Sequence, residues 1–344
     1  MSAACYKGET MSTYRLDTVD EYGHQPTADS NFNESVYLNG WDPKQKMGVW
    51  MRLGNRVNEG HAELSVCIYL PDGRVACQFL RPTIDTNERH SAGGLEYVVQ
   101  EPFKAVSMSY SGEAMVLDDP QVLREPRKMF KTAPRVCCEV KLSHVGLSPM
   151  NGGEPTDPEA ETMYGRDFAS GHFNQHSYVT GKIILGNESW DLNGFGWRDH
   201  SWGPRYWTNI NFYRLFIANF GEDRGLMMLK RTDREMKVHR RGVLMFDGKY
   251  EEIIDMDVMT EWDENKDPKA VRLGVRTTNR AVELNGKIIT MAPLRNHRQI
   301  DGQTVESRIA EGFTEWVWDD GRQGIGITEY IERLEDGEPV GYPL

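Results

Sequence analysis

The sequence predicts an all-β protein of two barrel-like antiparallel β domains, with few short helices. Three observations carry this. Short β-branched and aromatic runs recur along the chain, among them 48–53, 62–69, 74–79, 105–110, 136–142 and 177–185 in the first half. The second half continues with 212–220, 225–229, 242–246, 281–284 and 326–333. Turn pairs punctuate these runs: Asp72-Gly73, Gly186-Asn187, Asp247-Gly248, Asn285-Gly286 and Asp320-Gly321. Finally, 344 residues exceed what one hydrophobic core usually supports.

The segment 148–171 is rich in Gly, Pro, Glu and Asp and breaks the strand pattern. It reads as a long connection with a short helix near 157–164. The expected domains are therefore 1–170 and 171–344. The net charge of −12 repels phosphates and argues against a nucleic-acid partner. The basic run from Lys230 to Arg241 reads as a solvated hairpin surface. No apolar run approaches the ~20 residues that a membrane span requires. The N-terminal stretch has no apolar signal core, so a cytoplasmic protein is expected.

Cys67 and Cys77 flank the turn at Asp72-Gly73. With a two-residue turn, Cys67 would face Gln78 and the two thiols would point to opposite faces. Cys137 and Cys138 are adjacent and diverge on a strand. Neither a disulfide framework nor a zinc spacing emerges. No phosphate loop or dinucleotide fingerprint occurs, and no cofactor is expected.

The densest chemistry lies between His172 and Tyr213. Folding this stretch as a hairpin about Gly186-Asn187 pairs Leu185 with Glu188. That register sets Gln175 opposite Arg198, Asn174 opposite Asp199 and Phe173 opposite His200. On the return strand Arg198, His200 and Trp202 share one face, and Trp197, Asp199 and Ser201 share the other. A single bulge would exchange the faces. His200 can exchange protons near neutral pH, and Asp199 can orient it. Trp202, Trp207, Tyr206 and Tyr213 can wall a pocket and attract positive charge, while Arg198 and Arg205 can pair with a carboxylate. The bland alternative is a packed barrel floor. His172 and His176 lie on one face and could join Asp199 at a metal, but a polar barrel rim is the preferred reading. No metal site is assigned.

The run Arg198-Asp199-His200-Ser201-Trp202-Gly203, followed by Arg205 and preceded by Gly194 and Gly196, resembles the signature of AttH-like proteins. These are similar to the hydroxyneurosporene synthase (carotenoid 1,2-hydratase) superfamily. Gly324 to Tyr330 resembles the family's closing strand, and Asn33 to Ser35 with Gly48 to Arg52 its opening strands. The resemblance implies tandem lipocalin-like barrels with a ligand cavity near the motif. It also implies hydration, dehydration or cyclisation of hydrophobic molecules without a redox cofactor. Carried over from the hydratase branch, His200 and Trp202 line the site. Ser201 stands where that branch has Asn. Its Tyr-x-Asp acid has no counterpart, since Tyr213 and Asp223 have the wrong spacing.

Three functions follow as expectations. The first is a cofactor-free hydratase, dehydratase or cyclase acting on a terpenoid-like or polycyclic molecule. Asp199 and His200 are its catalytic candidates, with Glu329 or Glu311 as further acids. Trp202, Arg205, Trp207, Tyr213, His172, Asn174 and Arg198 are the substrate-binding candidates. The second is a non-catalytic carrier of an apolar small molecule. The third, hydrolysis by Ser201, ranks lowest because Ser201 and His200 diverge on a strand and no nucleophile elbow surrounds them.

Overall fold

The computed structural model describes residues 14–165, 168–206, 210–300 and 303–344. Two large antiparallel sheets organise it. In the first sheet, eight strands close into a ring. They are Phe32–Asp42, Met47–Arg56, His61–Tyr69, Val75–Leu80, Ala105–Leu117, Arg135–Gly146, Gly171–Leu185 and Glu188–Pro204. Arg135–Gly146 closes the ring by pairing with both Ala105–Leu117 and Gly171–Leu185. Closure leaves these strands without free edges.

The second sheet curls but stays open. Its order runs from Lys249–Glu252 through Val238–Phe246, Arg224–Asp233, Ile210–Asn219, Gln323–Glu335, Gln303–Trp318 and Ala281–Ile300 to Pro268–Arg276 and Asp255–Trp262. The all-β expectation holds, with one closed barrel and one curled sheet. The described helical elements are short; the one α-helix spans Pro126–Thr132. None is long and apolar enough to cross a membrane.

The expected boundary at 170/171 is corrected. Gly171–Leu185 and Glu188–Pro204 pair within the first barrel, and the chain enters the second sheet only at Ile210. The Gly- and Pro-rich stretch is an excursion within the first barrel. Its strand Asn151–Pro155 pairs with Gly171–Leu185, and no helix forms at 157–164.

The cysteine expectation is corrected too. Leu70 donates to the Arg74 carbonyl, so the hairpin loop is longer than two residues. The register shifts by one, and Cys67 pairs directly with Cys77. Both are buried and free.

Three apolar clusters follow from strand alternation. Val36, Leu38, Met51 and Val179 fill the first barrel. Phe216, Leu226, Trp316 and Tyr330 fill the second sheet's concave side. Between the sheets, Trp41, Tyr69 and Trp197 pack against Tyr213, Leu215 and Phe313. Trp41 stacks on Phe313 at 5.0 Å. Gly48 makes room for it, because a Cβ there would lie 1.9 Å from the Trp41 ring. Truncating such a buried Trp typically costs ~3–5 kcal/mol.

Candidate active site between the sheets

The hairpin about Gly186-Asn187 forms in the expected register, from Leu185 opposite Glu188 to Phe173 opposite His200. Gly186 has φ +60°, which suits the first central position of a tight hairpin turn. No bulge interrupts the ladder. The strand Glu188–Pro204 therefore separates its side chains cleanly, one set into the first barrel and one toward the second sheet.

Arg198, His200 and Trp202 point inward and build a polar plug. Arg198 forms a two-pronged ion pair with Glu21, both contacts at 2.8 Å, and its Nε donates to Gln175 at 2.9 Å. His200 Nε2 lies 2.6 Å from Glu34 Oε1, which also meets His24 Nδ1 at 2.8 Å. Trp202 stacks on His24 at 3.9 Å, and its Nε1 donates to Glu154 at 2.7 Å. Gly171 permits this, since a Cβ there would come within 2.2 Å of the Trp202 ring. Burial alone would raise the Glu34 carboxyl, but hydrogen bonds and charge from His200 and His24 overcome it and hold it far below the carboxylate range. Glu21 is lowered as well, its burial outweighed by Arg198.

The other face differs in every respect. Asp199 sits across from Asn174 and Tyr37 and faces the second sheet. Its side chain keeps 23% of its accessible surface. Burial raises it to about 7, against the pull of Arg205 and Arg52. His172 Nε2 stands 3.8 Å from its carboxylate, and burial holds that imidazole neutral. Tyr164 lies over His172 at 4.0 Å and accepts from Asn174 at 3.2 Å. Arg205 donates to Ser201 Oγ at 2.8 Å and to the Phe168 carbonyl at 3.2 Å. Phe168 in turn stacks on Tyr213 at 6.2 Å.

Beside this group a cavity of about 530 Å³ opens between the sheets. This falls in the ~300–1,000 Å³ range of small-molecule sites. The first barrel contributes Tyr37, Trp50 and Arg52 to its wall, and the second sheet contributes Ile309, Glu311, Glu329 and Ile331. Leu123, Met129 and Phe130 from the helical segment also line it. Asp199 adjoins the cavity through Tyr37, its cross-strand partner on the wall. Burial raises Glu329 to about 8, helped by the charge of Asp199 and opposed by Arg52 and Arg205. Burial and then the charge of Glu329 push Glu311 well above its usual range. The site can thus hold neutral carboxylic acids near neutral pH, the form needed to donate a proton in an apolar space.

The motif residues divide accordingly. Asp199, His172 and Asn174 share the face turned toward the second sheet, with Arg205 and Tyr213 nearby, while the cavity wall itself carries Glu311 and Glu329. His200, Arg198 and Trp202 lie on the opposite face, so Asp199 does not orient His200. Trp207 lies outside the described residues. Ser201 Oγ accepts from Arg205, and its cross-strand neighbour His172 hydrogen bonds through neither ring nitrogen, so no proton relay reaches Ser201. Sequence reasoning missed Tyr37, Arg52 and Trp50 on the wall and Glu21 and Glu34 in the plug. Glu34 had a readable signal: an acid in the inward register of a strand whose next inward residues are Val36 and Leu38.

The described residues include one group suited to a metal, His24, Glu34 and His200. Their contacts of 2.6 and 2.8 Å are hydrogen-bond lengths. Two ligands around tetrahedral zinc stand ~3.3 Å apart, given zinc–nitrogen bonds of ~2.0–2.1 Å. The group fits a hydrogen-bonded plug better than a metal cage.

A closed barrel packed on a curled sheet, with a cavity between them, defines a tandem lipocalin-like β protein of the AttH-like fold. The chain belongs to the family described as a domain of unknown function, DUF7064, whose model matches residues 17–333. Solved structures share the fold at low identity. A putative AttH from Nitrosomonas europaea is 12% identical with a TM-score of 0.63, covering 96% of this chain and 100% of that one. The structure of CghA with Sch210972 is 13% identical with a TM-score of 0.57, covering 95% and 98%. Kievitone hydratase from Nectria haematococca is 8% identical with a TM-score of 0.55, covering 92% and 93%. No curated protein matches the sequence.

Proposed function

We propose that this protein is an acid–base enzyme of the hydratase, dehydratase or cyclase type, acting on a hydrophobic small molecule in the cavity between the sheets. The observation that carries the reading is the set of carboxyls raised by burial, Asp199, Glu311 and Glu329, beside a largely apolar hollow. A carrier has no use for such groups, whereas protonation of an alkene or hydroxyl requires one. The fold of kievitone hydratase and of CghA, the latter solved with a bound small molecule, is in keeping with this.

Asp199 is the catalytic residue we assign on the motif strand. His172, Asn174, Arg205 and Tyr213 shape its surroundings, and the aromatic faces of Tyr37 and Trp50 stabilise developing positive charge. His200, Arg198 and Trp202 support the strand from behind. The substrate we favour is terpenoid-like or polycyclic, the chemistry needs no redox cofactor, and the setting is cytoplasmic.

The test is a panel of terpenoid and polycyclic alkenes and alcohols, followed by mass spectrometry for gain or loss of water or for isomerisation. Turnover by the wild type that falls at least ~10²-fold in Asp199→Asn is expected. Saturable binding of panel compounds without any turnover would make the protein a carrier instead.

A further inference from the structure

We infer that Glu311 and Glu329 work as one acid, a cross-strand carboxyl pair in which Glu329 delivers a proton to the substrate while Glu311 keeps its own, with Asp199 as the base. This rests on the cavity reading above and names the groups that do its chemistry.

The geometry comes first. Glu311 and Glu329 are register partners on the adjacent strands Gln303–Trp318 and Gln323–Glu335. Directly opposed residues share a face, with Cβ atoms ~4.5–5.5 Å apart. Both side chains line the cavity. Their outer neighbours on the second sheet are Ala292 and Leu215, which offer no charge. From the first barrel the pair faces Tyr37, Trp50 and Arg52, with Asp199 and Arg205 beyond. Arg52 already holds Glu63 at 3.3 Å, and Trp50 donates to Tyr69, whose hydroxyl donates to the Glu311 backbone carbonyl at 3.0 Å. Oε2 of Glu311 is buried without a hydrogen-bond partner. Two opposed carboxylates in such a place cannot both be ionised, so the pair retains at least one proton. Asp199 faces the pair from the first barrel, close enough for its charge to act on Glu329, and is the carboxyl outside the pair placed to take a proton while the pair gives one.

The step balances without any further reagent. For loss of water, Glu329 passes its proton to the substrate hydroxyl. The C–O bond breaks and its electron pair leaves with the water. The Asp199 carboxylate removes a proton from the neighbouring carbon, and the C–H electron pair becomes the double bond. One proton has moved from Glu329 to Asp199, and the total charge on the three carboxyls is unchanged. Transfer back from Asp199 to Glu329 resets the site. Addition of water is the same sequence reversed. Glu311, which keeps its own proton, donates the hydrogen bond that steadies the Glu329 carboxylate after donation.

The test uses the full chain with carbon-13-labelled glutamate and aspartate, titrated by NMR. Glutamine has the shape of a neutral glutamic acid, so Glu329→Gln and Glu311→Gln preserve the packing. In the wild type, Glu311 is expected to ionise ~1 pH unit or more above its value in Glu329→Gln, as a coupled pair requires. Identical titration of Glu311 in both proteins would overturn the inference and leave the cavity reading standing. With a substrate from the panel, both glutamine variants should lose ~10²-fold or more in rate. Full rate in Glu311→Gln would also overturn the pair. Coupled titration with no turnover of any compound would sink the cavity reading and the catalytic role together.

Discussion

The two faces of the strand Glu188–Pro204 bury carboxyl groups in opposite ways. Inside the barrel, Glu21 and Glu34 meet Arg198, His200 and His24 and are held ionised. Toward the second sheet, Asp199, Glu311 and Glu329 lie in comparable seclusion, where Arg52 and Arg205 only partly offset burial, and their proton affinities rise. Burial is common to both; the partner decides the outcome. A paired carboxylate holds structure together, and an unpaired carboxyl stores a proton. The motif that draws attention in the sequence contributes to both, with only Asp199 on the reactive side.

The contrast can be broken most severely at Arg198. Arg198→Ala leaves Glu21 buried without its guanidinium, and a loss of roughly 3–5 kcal/mol is expected in urea unfolding. A loss below ~1 kcal/mol would show that the plug is not structural.

A second effect separates the faces by pH. The folded value of Asp199 lies above the ordinary ~3.9, so the folded protein binds that proton more tightly. The resulting stability is complete below pH ~4 and is lost as pH rises through about 7. Glu21 and Glu34 act in the other sense. Their contribution is present above the ordinary ~4.3 and is lost as pH falls. Relative to the wild type, Asp199→Asn should therefore gain on the order of 2 kcal/mol between pH 5 and pH 8. A pH-independent difference in melting between the two proteins would contradict this.

His200→Ala should cost about 1–2 kcal/mol, because Glu34 still has His24 and Asn87 as donors. It should leave the titration of Glu329 unchanged, which NMR would check. Glu329→Gln is the mildest change for folding. At pH 6 its unfolding free energy should stay within ~0.5 kcal/mol of wild type, while its rate should fall ~10²-fold or more. Calorimetry beside an activity assay separates those two results.

Much of this was legible beforehand, for local reasons. A Gly-Asn turn sets the hairpin register, and alternation then assigns each motif side chain to a face. Glu329 could be named as a further acid because it sits on the readable strand 326–333, and Glu311 as an acid near it in the C-terminal region. What lay behind each face could not be read. Glu21 and Glu34 reach Arg198 and His200 from more than 160 residues away, and no local spacing announces such a pairing. His200 and Asp199 looked like partners because they are neighbours in sequence, the arrangement that keeps strand side chains apart. The boundary was misplaced because a Gly- and Pro-rich excursion within one barrel has the composition of a linker. Cys67 and Cys77 were misjudged because a hairpin loop longer than two residues moves the register by one.

The unbroken ladder from Leu185 to Gly171 has a last consequence. Slippage of this ribbon by a single position would swing the Arg198 guanidinium into the greasy gap and strand Asp199 among the plug's anions. Both compartments would fail at once. The Gly186 hairpin thus acts as the index mark of the molecule, and an insertion of one residue there should be far more damaging than its place at a solvent-exposed tip suggests.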